Sequence, residues 1–283
     1  MIDLYSGSES MAAEMTIMEH FHELRVRIIH IAISVIAISL FCMSFGLHPI
    51  EYGGLLFAYP SPDPINNIAV GVTHFMQKAL LPHEVRLIQT APGQAFFAQL
   101  NVALLLGVLG SLPMIVIEIS GFVSPAISKK TRGMIGKLLF FIIALFATGI
   151  VFSFIIVIPF TLDFLYRYGQ AIGVETFLNV YDFIGFVMQF FIAFGVAFQL
   201  PIVMYVVSLT DTISPKFWRN NLRYAIIAVA IFGAAITPDG SGVTMWFVAL
   251  PMIGLYLVGM LIVERRAKRQ QESVASREAI SSV

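Results

Sequence analysis

The sequence predicts an all-α polytopic membrane protein: six transmembrane helices with both ends in the cytoplasm, several of them Pro-kinked, forming a concave bundle. Six long apolar runs almost free of charge are the first observation behind this. Composition is the second: of 283 residues, 58% are hydrophobic and only 12% charged, whereas soluble domains carry about 25% charged residues. The third is the sorting of basic residues. Arg25 and Arg27, then Lys129, Lys130, Arg132 and Lys137, then Lys216, Arg219 and Arg223, then Arg265, Arg266, Lys268, Arg269 and Arg277 all fall in alternate connecting segments. These are fourteen of the 17 Lys and Arg residues, so the positive-inside rule assigns those segments to the cytoplasm.

Taken in order, the spans are expected at 28–47, 96–120, 135–159, 183–209, 222–236 and 243–263, judged against the roughly 20 residues that cross a bilayer. Residues 1–15 are expected as a flexible cytoplasmic N-terminus, 16–263 as the membrane domain and 264–283 as a mobile, polar cytoplasmic tail. Five carboxylates lie between Asp3 and Glu23, unlike the basic start of a cleavable signal peptide, so the first span is expected to stay as an anchor. Thr16 with Glu19 three residues on has the form of a capping box, which starts a helix ahead of the membrane. The loop 46–95 holds six prolines and reads as external and too broken to hide a span, with Tyr59 to Pro64 extended. Pro113, Pro159, Pro201 and Pro251 sit in or at the ends of spans, where each removes a backbone donor. The fifth run has 15 residues, about 22 Å at 1.5 Å per residue, which implies local membrane thinning.

Chemistry of the enzymatic kind finds no support. Ser-His-Asp order, a P-loop and metal-spaced Cys/His clusters are all missing, and Cys42 is the sole cysteine. His20 and His22, two apart, point to different faces of a helix and do not pair as metal ligands. No cofactor and no metal is expected, and a formal net charge of +0 gives no reason to expect nucleic acid. Glu19, Glu23 and Arg27 share one helical face. They read either as a solvated Glu23–Arg27 pair of about 0.3–0.5 kcal/mol or as part of an acidic receptor patch at the membrane surface. Within the spans Glu118 and Gln199 are the strongly polar residues; each is a functional candidate or, more simply, an interfacial group and an interhelical hydrogen bond.

His20-Phe21-His22-Glu23-Leu24-Arg25-Val26-Arg27 resembles the H-x-x-E-L-R-x-R entry of the TatC family, the receptor subunits of the twin-arginine protein translocase. Thr90-Ala91-Pro92-Gly93-Gln94-Ala95-Phe96-Phe97, Leu112-Pro113 and Gly121-Phe122-Val123-Ser124-Pro125-Ala126 are similar to its central block. Ala193-Phe194-Gly195-Val196-Ala197-Phe198-Gln199-Leu200-Pro201, Arg223-Tyr224, Thr237-Pro238-Asp239 and Ala249-Leu250-Pro251 follow in the family's order. The resemblance implies a multi-pass protein of the cytoplasmic membrane that conducts no enzyme reaction. It would bind twin-arginine signal peptides of folded cargo, assemble with single-span TatA/TatB-type subunits in an oligomeric complex surrounded by lipid, and draw on the proton gradient.

Residue by residue, the resemblance makes Glu23 the signal-binding glutamate, with Leu24 and Arg25 beside it and Phe122 and Pro125 shaping the first cytoplasmic loop. Two positions depart from the pattern. Thr131 stands where the family has a second glutamate, leaving Glu19 and Glu118 as candidates for the second charge, and Gln199 replaces a glutamate in the fourth span, so that its role is polar and not protonic. Pro92 and Asp239 are grouped with the partner-facing residues, although the simpler role for Asp239 is an N-cap of the sixth span. A six-span secondary transporter is the competing reading. It calls for matched breaks in two halves and paired intramembrane charges, and the charges are missing; a scaffold that only recruits partners is the third.

Overall fold

The computed structural model describes residues 17–52, 55–82, 85–123, 135–209, 213–237 and 241–281. Glu19 lies on a described helix but its side chain does not belong to the described set, and Thr16, Pro125, Thr131 and Asp239 fall outside it.

Helix α1 runs over Ile17–Ser44 and passes directly into a hairpin, β1 Phe45–Tyr52 and β2 Leu55–Pro62, paired antiparallel from Phe45↔Pro62 to Tyr52↔Leu55. The loop therefore holds more order than its prolines suggest. A two-stranded ribbon has only edge strands, where a missing N–H costs no ladder bond if it faces outward. Asp63 then makes a tight turn, its Oδ1 accepting from the amides of Ile65 (3.1 Å) and Asn66 (2.9 Å). Asn67 caps α2, Ile68–Leu80, by accepting from the Val70 amide at 2.9 Å. Helix α2 buries Ala69, Thr73, Met76 and Leu80, spaced to form one face against its neighbours.

After β3, Arg86–Ile88, the second span is broken in two: α3 Gln94–Gly110 and α4 Leu112–Val123 meet at Ser111 with a bend of 54°. The third continues past its expected end. Helix α5, Ile135–Phe152, passes through a π-helical turn at Ser153–Val157 into α6, Ile158–Ala171. β4, Phe177–Asn179, pairs in parallel with β3 and leads into α7, Val180–Ala197, and α8, Leu200–Leu209. A short α9, Pro215–Asn220, precedes α10, Leu222–Ile236, and the long α11, Gly242–Ser281.

Pro113, Pro159 and Pro201 are each the second residue of a helix that restarts after a bend, a π turn or a two-residue break. In the first turn no intrahelical acceptor is forfeited by the missing N–H, so these prolines mark restarts within otherwise continuous apolar stretches. Pro251 is different: α11 runs through it. The tail after residue 263 continues α11 to Ser281. Its Glu, Arg, Lys, Gln and Ala residues are strong helix formers, and no breaker lies between them.

Helix α7 is the centre of the core, with Phe183, Ile184, Val187, Phe190 and Phe194 almost fully buried. It meets α5 closely because Gly149 faces the Phe194 carbonyl, where any side chain would collide, and Gly195 faces Phe146 in return. Small residues that let backbones approach are the usual glue of helices in lipid.

Four described helical runs are long and apolar enough to cross a membrane: 20–44, 139–171, 180–209 and 242–273. The bent α3–α4 pair makes a fifth if taken as one span. Helix α10 coincides with the expected fifth run but, at 15 residues, is shorter than that length. The chain is thus a multi-pass integral membrane protein of four to five such spans.

Candidate functional site

The N-terminal part of α1 and the C-terminal part of α4 lie side by side, and their polar residues converge on one guanidinium. Glu23 and Arg27 stand one helical turn apart, and Glu23 Oε1 accepts from Arg27 Nε at 3.0 Å and also from Nη2. The other arm of the guanidinium crosses to α4, where Nη1 donates to the Glu118 carbonyl and to Glu118 Oε2, each at 3.1 Å. His30 Nδ1 lies 3.0 Å from the second Glu118 oxygen. The crossing depends on Gly121, since a methyl group there would run into the Arg27 guanidinium.

Side-chain exposures of 21% for Glu23, 23% for Arg27 and 12% for Glu118 take the cluster well out of bulk water. Partial burial strengthens charge-assisted hydrogen bonds and makes any unmet acceptor costly. One acceptor is unmet: Glu23 Oε2 is buried with no hydrogen-bond donor. His20 Nδ1 lies 4.0 Å from it, beyond hydrogen-bond reach. The His20 ring stacks on Phe122 at 4.3 Å, so Phe122 closes the same end of the cluster. Leu24 is half-buried, and Arg25 is exposed on another face with no ion pair among the described residues.

Of the residues singled out from sequence, then, Glu23, Glu118 and Phe122 come together and Leu24 lies beside them. Arg25 does not join the cluster. Arg27 does more than pair with Glu23, and His30 was missed altogether. Its position one turn after Arg27 was the available signal; its carboxylate partner is 88 residues away in sequence.

Gln199 occupies the break between α7 and α8. Its Nε2 donates to the Ile142 carbonyl of α5 at 3.1 Å and more weakly to the Gly195 carbonyl at 3.4 Å, while its Oε1 is buried without a donor. The simpler expectation, an interhelical hydrogen bond, is therefore met within the chain.

Pro92 lies in an exposed turn before α3, followed by Gly93 in a left-handed conformation (φ 84°). This turn is tied down by Gln94, whose Oε1 accepts from the Thr90 and Ala91 amides at 3.0 and 3.1 Å. Asn179 Nδ2 donates to the same oxygen at 2.8 Å and to Thr90 Oγ1 at 2.7 Å, while Asn179 Oδ1 caps α7 through the Tyr181 amide. The starts of the second and fourth spans are thereby joined, alongside the β3–β4 pairing. Nothing in the sequence pattern linked Gln94 to Asn179.

Among the described residues no group of three or more His, Cys, Asp or Glu is placed to hold a metal.

A profile of the family described as Sec-independent protein translocase protein (TatC) matches residues 19–251. A Sec-independent protein translocase protein TatC from Cenarchaeum symbiosum is 48% identical over 263 residues, covering 93% of this chain and 100% of its own. One from Carboxydothermus hydrogenoformans is 32% identical, with 88% and 92% covered. The crystal structure of the twin arginine translocase receptor TatC superposes with a TM-score of 0.71 at 27% identity, covering 87% of this chain and 98% of that one. The order of helices, the ordered motifs and these matches agree: the chain belongs to the TatC family and is a membrane component of Sec-independent, twin-arginine protein translocation.

Proposed function

We propose that the chain is the signal-peptide receptor of its translocase, and that Glu23 and Glu118 are the two carboxylates that receive the arginine pair. The observation that carries this reading is the convergence of both carboxylates, from separate helices, on Arg27, with Glu23 Oε2 left without a donor. An arginine pair asks for carboxylates in fixed geometry, because charge-assisted bonds of this kind are worth about 1.5–3 kcal/mol each. Glu118 then takes the place of the second glutamate that Thr131 does not provide. Phe122 and Leu24 supply apolar surface beside the charges, and Pro125 and Glu19 belong to the same docking region.

The basic residues support a six-span arrangement with both ends in the cytoplasm, α10 being the short fifth span. The carboxylate cluster lies at that cytoplasmic end, in a surface otherwise rich in Lys and Arg that would repel a cationic signal. The membrane is the cytoplasmic membrane. TatA/TatB-type single-span subunits are the partners, recruited in an oligomeric complex with Gln199, Pro92 and Asp239 among the contacts, and the proton gradient supplies the energy.

Photocrosslinking of a twin-arginine precursor to probes near Glu23 tests the receptor role, with an RR→KK precursor as control. Labelling by the RR form alone is expected; equal labelling by both would reject it.

A further inference from the structure

Along α11 one stripe changes from apolar to cationic. Val258, Ile262, Arg265 and Arg269 succeed one another at steps of four, three and four, so they share a face. Val258 and Ile262 are 49% and 40% exposed, pointing outward where the helix is still apolar. Arg265 and Arg269 are exposed one turn further on.

Neighbouring cations are already engaged. Arg266 turns inward, donating to the Ser208 carbonyl and to Ser208 Oγ (2.8 Å), with its guanidinium 5.6 Å from the centre of the Tyr205 ring. Arg219 forms a two-pronged pair with Glu264 at 2.8 and 2.9 Å, which engages that carboxylate. Arg265 and Arg269 form no ion pair with any described residue. Together with Tyr205, Ile262, Arg266 and Ser273 they line a cleft of about 410 Å³ whose walls contain no carboxylate.

Two guanidiniums at i and i+4 repel one another, and an anion between them relieves that repulsion. The cleft is also two-sided: Tyr205 and Ile262 give it an apolar end toward the hydrocarbon, and the arginines give it a cationic end toward water. Guanidinium groups match phosphate oxygens in geometry as well as charge. We propose that this cleft is a site for an anionic glycerophospholipid, its phosphate held between Arg265 and Arg269 and an acyl chain lying along Ile262 and Val258. The proposal needs only that α11 crosses the membrane and is independent of the signal-receptor reading.

Native mass spectrometry of the full-length protein, released from nanodiscs of phosphatidylcholine with a rising fraction of phosphatidylglycerol, counts the lipid retained. Saturable retention of phosphatidylglycerol over phosphatidylcholine is expected. Replacing both arginines (Arg265→Gln with Arg269→Gln) should weaken it about 10- to 30-fold, on the scale of about one juxtamembrane charge interaction per residue. Lys268→Gln, which does not line the cleft, serves as the control and should retain the lipid. Melting of all variants in lipid-free detergent checks that they remain folded. Equal retention of both lipids, or equal losses in the double variant and in Lys268→Gln, would overturn the proposal. So would complete displacement of the lipid by millimolar inorganic phosphate, which would make the site one for free phosphate. Unchanged retention in a folded double variant would also overturn it and leave the ridge to an acidic protein segment.

Discussion

A guanidinium can hold two carboxylates at once because its donors fan out in a plane, and Arg27 uses one edge for Glu23 and another for Glu118. Lysine keeps the charge but offers a single point. Arg27→Lys is therefore expected to leave membrane insertion unchanged while weakening signal-peptide binding by about tenfold, or about 1.4 kcal/mol, measurable by peptide titration in nanodiscs. Asp63 is a second residue whose environment is specific. Its carboxyl is held below the ordinary carboxylate range, chiefly by the Asn66 amide, with the Asn66 side chain, the Ile65 amide and His48 adding to it against the effect of desolvation. The folded turn thus binds a proton less readily than the unfolded chain. Its stabilisation is present above the ordinary range and is lost as pH falls through the lowered value. The protection factor of the Asn66 amide, followed by hydrogen exchange, should fall over that acidic window in the wild type and be independent of pH there in Asp63→Asn. The pair Glu23–Arg27 was legible from i,i+4 spacing; the partner at Glu118 was not, because the contact spans 91 residues of sequence and depends on a bare glycine, Gly121.

Elements were legible where their ends carry chemistry. The end of α10 matches the sequence reading because Thr237 and Pro238 follow it, while Asn221 makes no side-chain cap at its start. The hairpin is hidden in the sequence because proline reads as a breaker, whereas the two strands are both edges and tolerate it. The helical course of the tail is hidden behind its polar composition, although the same residues favour helix once α11 provides the nucleus. Between elements, Asn179 does the work of three contacts: it caps α7 and donates to both Thr90 and Gln94. Asn179→Ala is expected to lower stability by about 1–2 kcal/mol, the scale of a lost cap, read as an earlier thermal transition in detergent. A shift indistinguishable from zero would show that the β3–β4 pairing holds the two spans without it.

For the whole molecule the apolar runs are enough to locate each long apolar helix among the described residues, since lipid demands continuous hydrogen-bonded helices. What they did not supply is how the helices break. The π turn and the bend at Ser111 each precede a helix whose second residue is proline, and proline marks the restart without setting the kind of break. The six-span arrangement makes α10 a crossing of about 22 Å. With Cys42→Ala as background, cysteines at Asn221 and Ser241 are expected to react with an impermeant thiol reagent from opposite sides of the membrane. Reaction of both from one side would make α10 re-entrant. The central claim concerns the carboxylate pair, and the affinity of a twin-arginine signal peptide for wild type, Glu23→Gln, Glu118→Gln and the double variant tests it most directly. The account predicts that each single variant loses about tenfold or more in affinity, that the double variant loses less than the product of the two, and that an RR→KK peptide binds all four equally weakly. Wild-type affinity in Glu118→Gln would contradict it.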